Sequence, residues 1–224
     1  MGSKLLAIDT ATEACSAALW TDGEIAEEFC EAPREHGRLI LPMVDRLLSD
    51  AGLVLKQLDG LAFGRGPGAF TGVRIAVGVV QGLALGADLP VVGVSDLAAL
   101  AQRAHRERAW RKVIACMDAR MHEVYCGRFV AEGGGLVRAE TEEAVLAPDE
   151  VPVPEDVDWY GAGRGFAAYP ALGESLAGVD AESLPMAGDI VRLAVEEFAQ
   201  GKAVSAEQAL PVYLRDKVAW SKAD

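Results

Sequence analysis

The sequence predicts an α/β protein made of two similar lobes, each a mixed five-stranded sheet with helices on its faces. Three observations lead there. The first hundred or so residues alternate short apolar runs with longer amphipathic ones, in the order β-β-β-α-β-α-β-α. A buried-strand pattern ending in aspartate occurs twice, as Leu6-Ala7-Ile8-Asp9 and as Ala115-Cys116-Met117-Asp118. A glycine turn after a strand also occurs twice, as Phe63-Gly64-Arg65-Gly66 and as Ala162-Gly163-Arg164-Gly165. Matched features in the same order, about a hundred residues apart, indicate duplication of one unit.

Each element has a local cause. Leu5 to Ile8 is an apolar run that reads as a buried strand. A polar turn (Thr10 to Glu13) leads to a second strand, Cys15 to Trp20. Asp22-Gly23 predicts a tight hairpin into a third strand near Glu24–Glu31. From His36 to Ala51 the apolar residues Leu39, Ile40, Met43, Val44, Leu47 and Leu48 follow helical spacing, and Gly52 stands where a helix-ending glycine belongs. Asp59 to Phe63 reads as a strand, Thr71 to Gly86 as a helix, and Pro90 to Val94 as another strand. Ser95 is placed to cap a helix over Asp96 to His105. The basic stretch Arg103 to Lys112 reads as a helix end or linker. It sets the lobes at 1–108 and 109–224, with the last helix and the Tyr213 to Trp220 segment as candidates for packing back onto the first lobe.

The chain has 224 residues, half of them hydrophobic, and a formal net charge of −13. Such a surface repels phosphate backbones, so the chain by itself is a poor nucleic-acid binder, although a partner could supply basic surface. The four cysteines (Cys15, Cys30, Cys116, Cys126) form no C-x-x-C pair and read as free, mostly buried thiols. The start of the chain lacks a signal-peptide core, and the nearly apolar stretch Ile75 to Ala87 is too short to span a bilayer. The expectation is a cytoplasmic protein with no membrane partner.

The richest motif is the glycine turn Gly64-Arg65-Gly66-Pro67-Gly68, which runs into a helix. A turn of that kind, ahead of unpaired helix N–H groups, is the layout of an anion site, and equally of any tight turn. The turn after Asp9 (Thr10-Ala11-Thr12-Glu13) has no glycine and adds a negative charge. Asp9 and Asp118 could jointly hold a Mg²⁺-nucleotide, or simply cap strand turns. Asp9, Thr10, Gly66 and Gly68 therefore make at most a degenerate nucleotide site, one that partner chains would have to complete. No resident cofactor is expected. Nor is a metal, because the three histidines are scattered and the i+4 neighbour of His36 is Ile40. There is no G-x-S-x-G nucleophile elbow.

Gly78, Gly82 and Gly86 repeat every fourth residue along the second helix. Each costs roughly 0.5–1 kcal/mol relative to alanine unless close packing offsets it. The helix either lies tightly on its own sheet or turns this row towards another protein. The first helix is apolar over a wide arc. A docking plate from both helices would use His36, Leu39, Ile40, Met43, Leu47, Arg74, Gly78 and Gly82.

A hairpin-first β-β-β-α-β-α unit present twice resembles the ribonuclease-H-like plan of the actin, Hsp70 and sugar-kinase superfamily. More specifically, four motifs are similar to those of the bacterial TsaB (YeaZ) family. They are Leu6-Ala7-Ile8-Asp9-Thr10-Ala11-Thr12, His36-Gly37-Arg38-Leu39-Ile40-Leu41-Pro42, Gly66-Pro67-Gly68-Ala69-Phe70-Thr71-Gly72-Val73-Arg74-Ile75 and Pro211-Val212-Tyr213-Leu214-Arg215. Ala69 stands where that family more often has serine.

The resemblance implies a part in making N6-threonylcarbamoyladenosine in tRNA. It implies pairing with the metal-carrying transferase TsaD, entry of the ATPase TsaE into the complex, and tRNA contact only through that complex. TsaD carries H-x-x-x-H on its first helix. Here His36 matches the first histidine and Ile40 replaces the second, so the resemblance implies a non-catalytic partner that forms a homodimer when alone. The competing readings are an ATP-dependent phosphotransferase using Asp9 and, last, a peptidase.

Overall fold

The computed structural model describes residues 3–154, 156 and 158–215. In the first lobe, β1 (Lys4–Asp9), β2 (Ala14–Thr21) and β3 (Glu24–Glu31) form an antiparallel meander. Asp22 and Gly23 both take positive φ, 53° and 95°, as a two-residue hairpin turn requires. On its other side β1 pairs in parallel with β4 (Gly60–Gly64), and β4 with β5 (Val91–Val94), giving the order β3-β2-β1-β4-β5.

Helices α1 (His36–Asp50) and α2 (Phe70–Ala87) cover the outer face of this sheet. Gly52 (φ 64°) ends α1: the Leu53 amide donates to the Leu48 carbonyl and the Gly52 amide to that of Ser49. By length and apolar composition alone α2 could cross a bilayer, unlike the shorter stretch Ile75 to Ala87. Its inner side, however, packs on the sheet through Val73, Val77 and Val80.

The second lobe contains β6 (Lys112–Arg120), β7 (Glu123–Ala131), β8 (Val137–Ala139), β9 (Ala144–Leu146), β10 (Tyr160–Ala162) and β11 (Gly178–Asp180). Its sheet has six strands rather than the expected five, because β7 pairs with both β8 and β9 along its outer edge. Helix α4 (Arg164–Ala168) lies on the outer face of this sheet.

Between the two sheets run α3 (Asp96–Arg108) and α5 (Ala187–Ala199), and they cross over. α5, late in the chain, packs on the first sheet, while α3, from the first half, packs on the second. One continuous core results, joining Leu5 and Ala7 of β1, Leu97 and Leu100 of α3, Val113 and Phe129 of the second sheet, and Ile190 and Ala194 of α5. Leu6 and Ile8 point to the opposite face, under α1 and α2. Both faces of β1 are thus buried, which is why its sequence is an unbroken apolar run.

The start of α5 is capped by first-lobe side chains. Ser16 Oγ accepts from the Ala187 amide (2.9 Å) and the Glu27 carboxylate from that of Gly188 (2.6 Å). Arg106 of α3 grips the fully buried Asp189 of α5 with two bonds of 2.9 Å. The chain does turn between lobes at Ala109 (φ 58°), but a cut there divides a shared core. Tyr213 to Arg215 reach both lobes: Tyr213 rests on Phe70, and Arg215 bonds Glu123 and the Ala119 carbonyl. The remainder of the predicted Tyr213–Trp220 segment lies outside the described residues.

Candidate functional site

Two surfaces of the molecule could carry function, a cleft between the lobes and the outer face of α1 and α2. The cleft encloses about 1260 Å³. Its walls are the turn at 11–13, the start of α2, the turn at 118–121 of the second lobe, α4, and Val212 to Arg215.

The residues expected to hold a phosphate do not form a cradle for one. Asp9 and Thr10 are wholly buried. Asp9 Oδ1 accepts from the Ala11 amide (2.8 Å), and Thr10 Oγ1 donates to the Gly72 carbonyl (2.7 Å). The glycines serve packing instead. A Cβ on Gly68 would lie 2.5 Å from the Ala11 carbonyl oxygen, and one on Gly66 (φ 101°) 2.7 Å from that of Val212. The Gly66 amide is already bound to Asp96 (2.6 Å).

Within the chain, Asp9, Thr10, Gly66 and Gly68, expected at a degenerate nucleotide site, stitch the two turns together, and Gly68 also lines the cleft. Three cationic side chains in the cleft are also committed. Arg120 pairs with Asp118 (2.9 Å), Arg164 with Glu31 (2.8 Å) and Arg215 with Glu123. Among the described residues, no three of His, Cys, Asp and Glu gather as a metal ligand set. His36 donates its Nε2 proton to the Ala14 carbonyl (3.1 Å), a structural role.

Sequence reasoning missed Asp96. It read as part of a helix cap, and Ser95 does cap α3 by accepting from the Ala98 amide (3.1 Å). But Asp96 is fully buried and faces Asp9 across the Cα of Gly64, where any Cβ would strike both carboxylates. Asp9 Oδ2 and Asp96 Oδ1 have no hydrogen-bond partner among the described residues. Burial raises both acids, Asp9 to about 6 and Asp96 well above the ordinary range, where the neighbouring Asp9 charge adds to the effect. Two buried carboxyls this close favour a state in which one of them keeps its proton. One signal could have revealed it. β1, β4 and β5 are parallel neighbours, so Asp9, Gly64 and Asp96 stand together at their C-terminal ends.

On the second surface, the helices present different residues from those expected. His36, Ile40, Met43 and Leu47 face inward and belong to the buried interior of their own lobe. The apolar arc of α1 is wide because its inner side meets β2 and part of α2. What remains outside is Leu41, with Leu39 half-buried. On α2, Gly78, Gly82 and Gly86 are exposed, with no described residue within 4 Å of where their Cβ atoms would lie. The exposed Leu85 and Phe70 and half-buried Ile75, Val79 and Leu83 flank this row. Arg74 lies 3.7 Å over the Phe70 ring and donates to Tyr213 Oη (2.8 Å).

Two hairpin-first lobes joined by crossed central helices define a protein of the ribonuclease-H-like actin, Hsp70 and sugar-kinase class. Residues 30–222 match the family model described as TsaD, tRNA N6-adenosine threonylcarbamoyltransferase. The chain is 48% identical over 225 residues to the tRNA threonylcarbamoyladenosine biosynthesis protein TsaB of Escherichia coli, covering 98% of this chain and 97% of that one. With the TsaB of Haemophilus influenzae it shares 43% identity, covering 97% and 96% of the two chains. The solved structure of YeaZ from Pseudomonas aeruginosa superposes with a TM-score of 0.91 at 52% identity, over 95% of this chain and all of that one. The chain belongs to the TsaB (YeaZ) family of tRNA threonylcarbamoyladenosine biosynthesis proteins.

Proposed function

We propose that this chain is the non-catalytic docking and activating subunit of the machinery that transfers a threonylcarbamoyl group to N6 of the tRNA adenosine beside the anticodon, acting by dimerising with TsaD. The observation that carries this reading is the outward glycine row of α2. Three exposed helix glycines together cost roughly 1.5–3 kcal/mol relative to alanine, and no contact among the described residues offsets that. Close approach of a partner helix does, because backbones can touch where Cβ is missing. The apolar flanks are consistent with a partner that is itself helical there. The match to the TsaD model supports a partner built on the same plan, and the same plate can pair two copies of this chain in its absence. The charge of −13 supports leaving tRNA contact to the other subunits, with TsaE joining the complex in the cytoplasm.

Gly82→Arg tests this. The position is open, so the variant should fold with an unchanged melting curve. It should lose affinity for TsaD by about tenfold or more and lose homodimerisation in sedimentation. Unchanged affinity would place the docking face elsewhere. The cleft volume favours one rival, a phosphotransferase acting on ATP. Titration of the purified chain with Mg²⁺-ATP separates the two: we expect no binding heat, whereas a heat abolished in Asp118→Asn would support the rival.

A further inference from the structure

The four cysteines, isolated in sequence, meet as two cross-strand pairs, one in each lobe. Cys15 stands opposite Cys30 on β2 and β3, and Cys116 opposite Cys126 on β6 and β7. The pairs differ in the kind of ladder position they occupy. The Ala32 amide donates to the Glu13 carbonyl (3.1 Å), so Glu13 and Ala32 are a hydrogen-bonded pair. Cys15 and Cys30 lie two residues further along each strand, so they are a hydrogen-bonded pair too.

In the second lobe the Ala131 amide donates to the Arg111 carbonyl (2.7 Å). Cys116 and Cys126 lie five residues from that pair, an odd step, so they occupy a non-hydrogen-bonded position. Opposed Cα atoms there are about 4.5 Å apart and the side chains closer, against about 5.5 Å at the other kind. A disulfide needs Cβ atoms about 3.5–4.5 Å apart, and the closer side chains of the Cys116–Cys126 position suit it better than those of the Cys15–Cys30 position.

From this geometry we propose that Cys116 and Cys126 form a site of reversible oxidative modification, closing to a disulfide in response to a peroxide, while Cys15 and Cys30 stay reduced. Cys126 reacts first. It keeps a little exposure where Cys116 has none, and the adjoining Cys116 thiol holds it below the usual thiol range. Its thiolate sulfur attacks one peroxide oxygen: an S–O bond forms, the O–O bond breaks, and hydroxide leaves. Cys116 sulfur then attacks the sulfenic sulfur. The S–S bond forms, the S–O bond breaks, and the departing hydroxide takes the Cys116 proton as water. Two thiols and one peroxide give one disulfide and two waters. Cys15 is turned away from this chemistry, its Sγ resting against Met43 Sδ at 3.9 Å.

The disulfide would close a loop of only about ten residues within a ladder already formed, so it marks redox state more than it adds stability. The test is to treat the reduced full-length protein with millimolar hydrogen peroxide, unfold it, alkylate the free thiols and map its tryptic peptides. Cys116 and Cys126 fall in separate peptides, divided at Arg120, whereas Cys15 and Cys30 share one. The expected result is a linked pair of peptides carrying Cys116 and Cys126, lighter by two hydrogen atoms and reopened by dithiothreitol, with Cys15 and Cys30 alkylated. Cys116→Ser should leave Cys126 as a sulfenic acid that dimedone traps. Four alkylated cysteines after treatment, a Cys15–Cys30 link, or Cys126 passing to sulfinic acid in the wild-type chain without a link would each overturn the proposal.

Discussion

Gly72→Ala should lower the unfolding free energy by about 3 kcal/mol, whereas Gly78→Ala, less than two turns along the same helix, should raise it by about 0.5–1 kcal/mol. A Cβ on Gly72 would run into the backbone carbonyl of Thr10. That carbonyl cannot retreat, because Thr10 is fully buried and its own hydroxyl is bonded back to Gly72. The turn after β1 and the first turn of α2 must then separate, breaking the Thr10–Gly72 and Ala69–Ala11 hydrogen bonds together. Gly78 meets no described residue within 4 Å, so alanine there only lowers the entropy of the unfolded chain and improves helix propensity. Urea unfolding of the two variants checks both signs. Two destabilised variants would mean that the outer row is packed within the chain, and the docking reading would lose its main support. At high protein concentration the Gly78→Ala gain should shrink, because the same methyl group would obstruct the proposed homodimer.

The contrast also explains what could be read from the residues alone. Strand and helix identities were legible wherever a local cause suffices: the apolar run at Leu5–Ile8, the Asp22-Gly23 turn and Gly52 after α1 all act within a few residues. Faces were not legible for the two most apolar helices. Hydrophobic periodicity tells a buried side from an exposed one only when the exposed side is polar, and here it is not. Ile40 and Met43 turn inward and Leu41 outward, yet all three look alike in sequence. The glycines of α2 divide in the same way, Gly72 inward and Gly78 outward. Asp96 was illegible for a different reason. Its role depends on Asp9, far away in the chain, and a serine cap already explained the local pattern. Only the parallel order β1-β4-β5 brings the two acids together.

That pairing makes stability depend on pH in an unusual direction for carboxylates. Paired surface acids commonly have lowered values, so protonation unfolds the protein as pH falls. Burial raises both Asp9 and Asp96 above their unfolded values, and the Asp9 charge raises Asp96 further, so the folded chain binds more protons than the unfolded one. Their contribution is fully present below about pH 4 and declines as pH rises through about 6 and beyond, where the second charge forces two carboxylates into contact. Few neighbours can relieve it. His36 lies where it favours ionised Asp9, but its Nε2 is committed to Ala14, and Glu143, bonded to Ser95, adds a further negative charge near Asp96. Asp96→Asn should therefore stabilise the chain at pH 8 by about 1–3 kcal/mol and flatten the profile between pH 5 and 8. The amide carbonyl can keep accepting from Gly66 while the amide nitrogen donates to Asp9, as the retained proton does. Asp96→Ala should instead destabilise at every pH, since it strands the Gly66 amide and leaves a cavity. Denaturant unfolding of the three proteins at pH 5 and 8 decides the matter. If wild type and Asp96→Asn lose stability in parallel as pH rises, the two carboxylates hold no common proton, and another group governs the alkaline side of the profile.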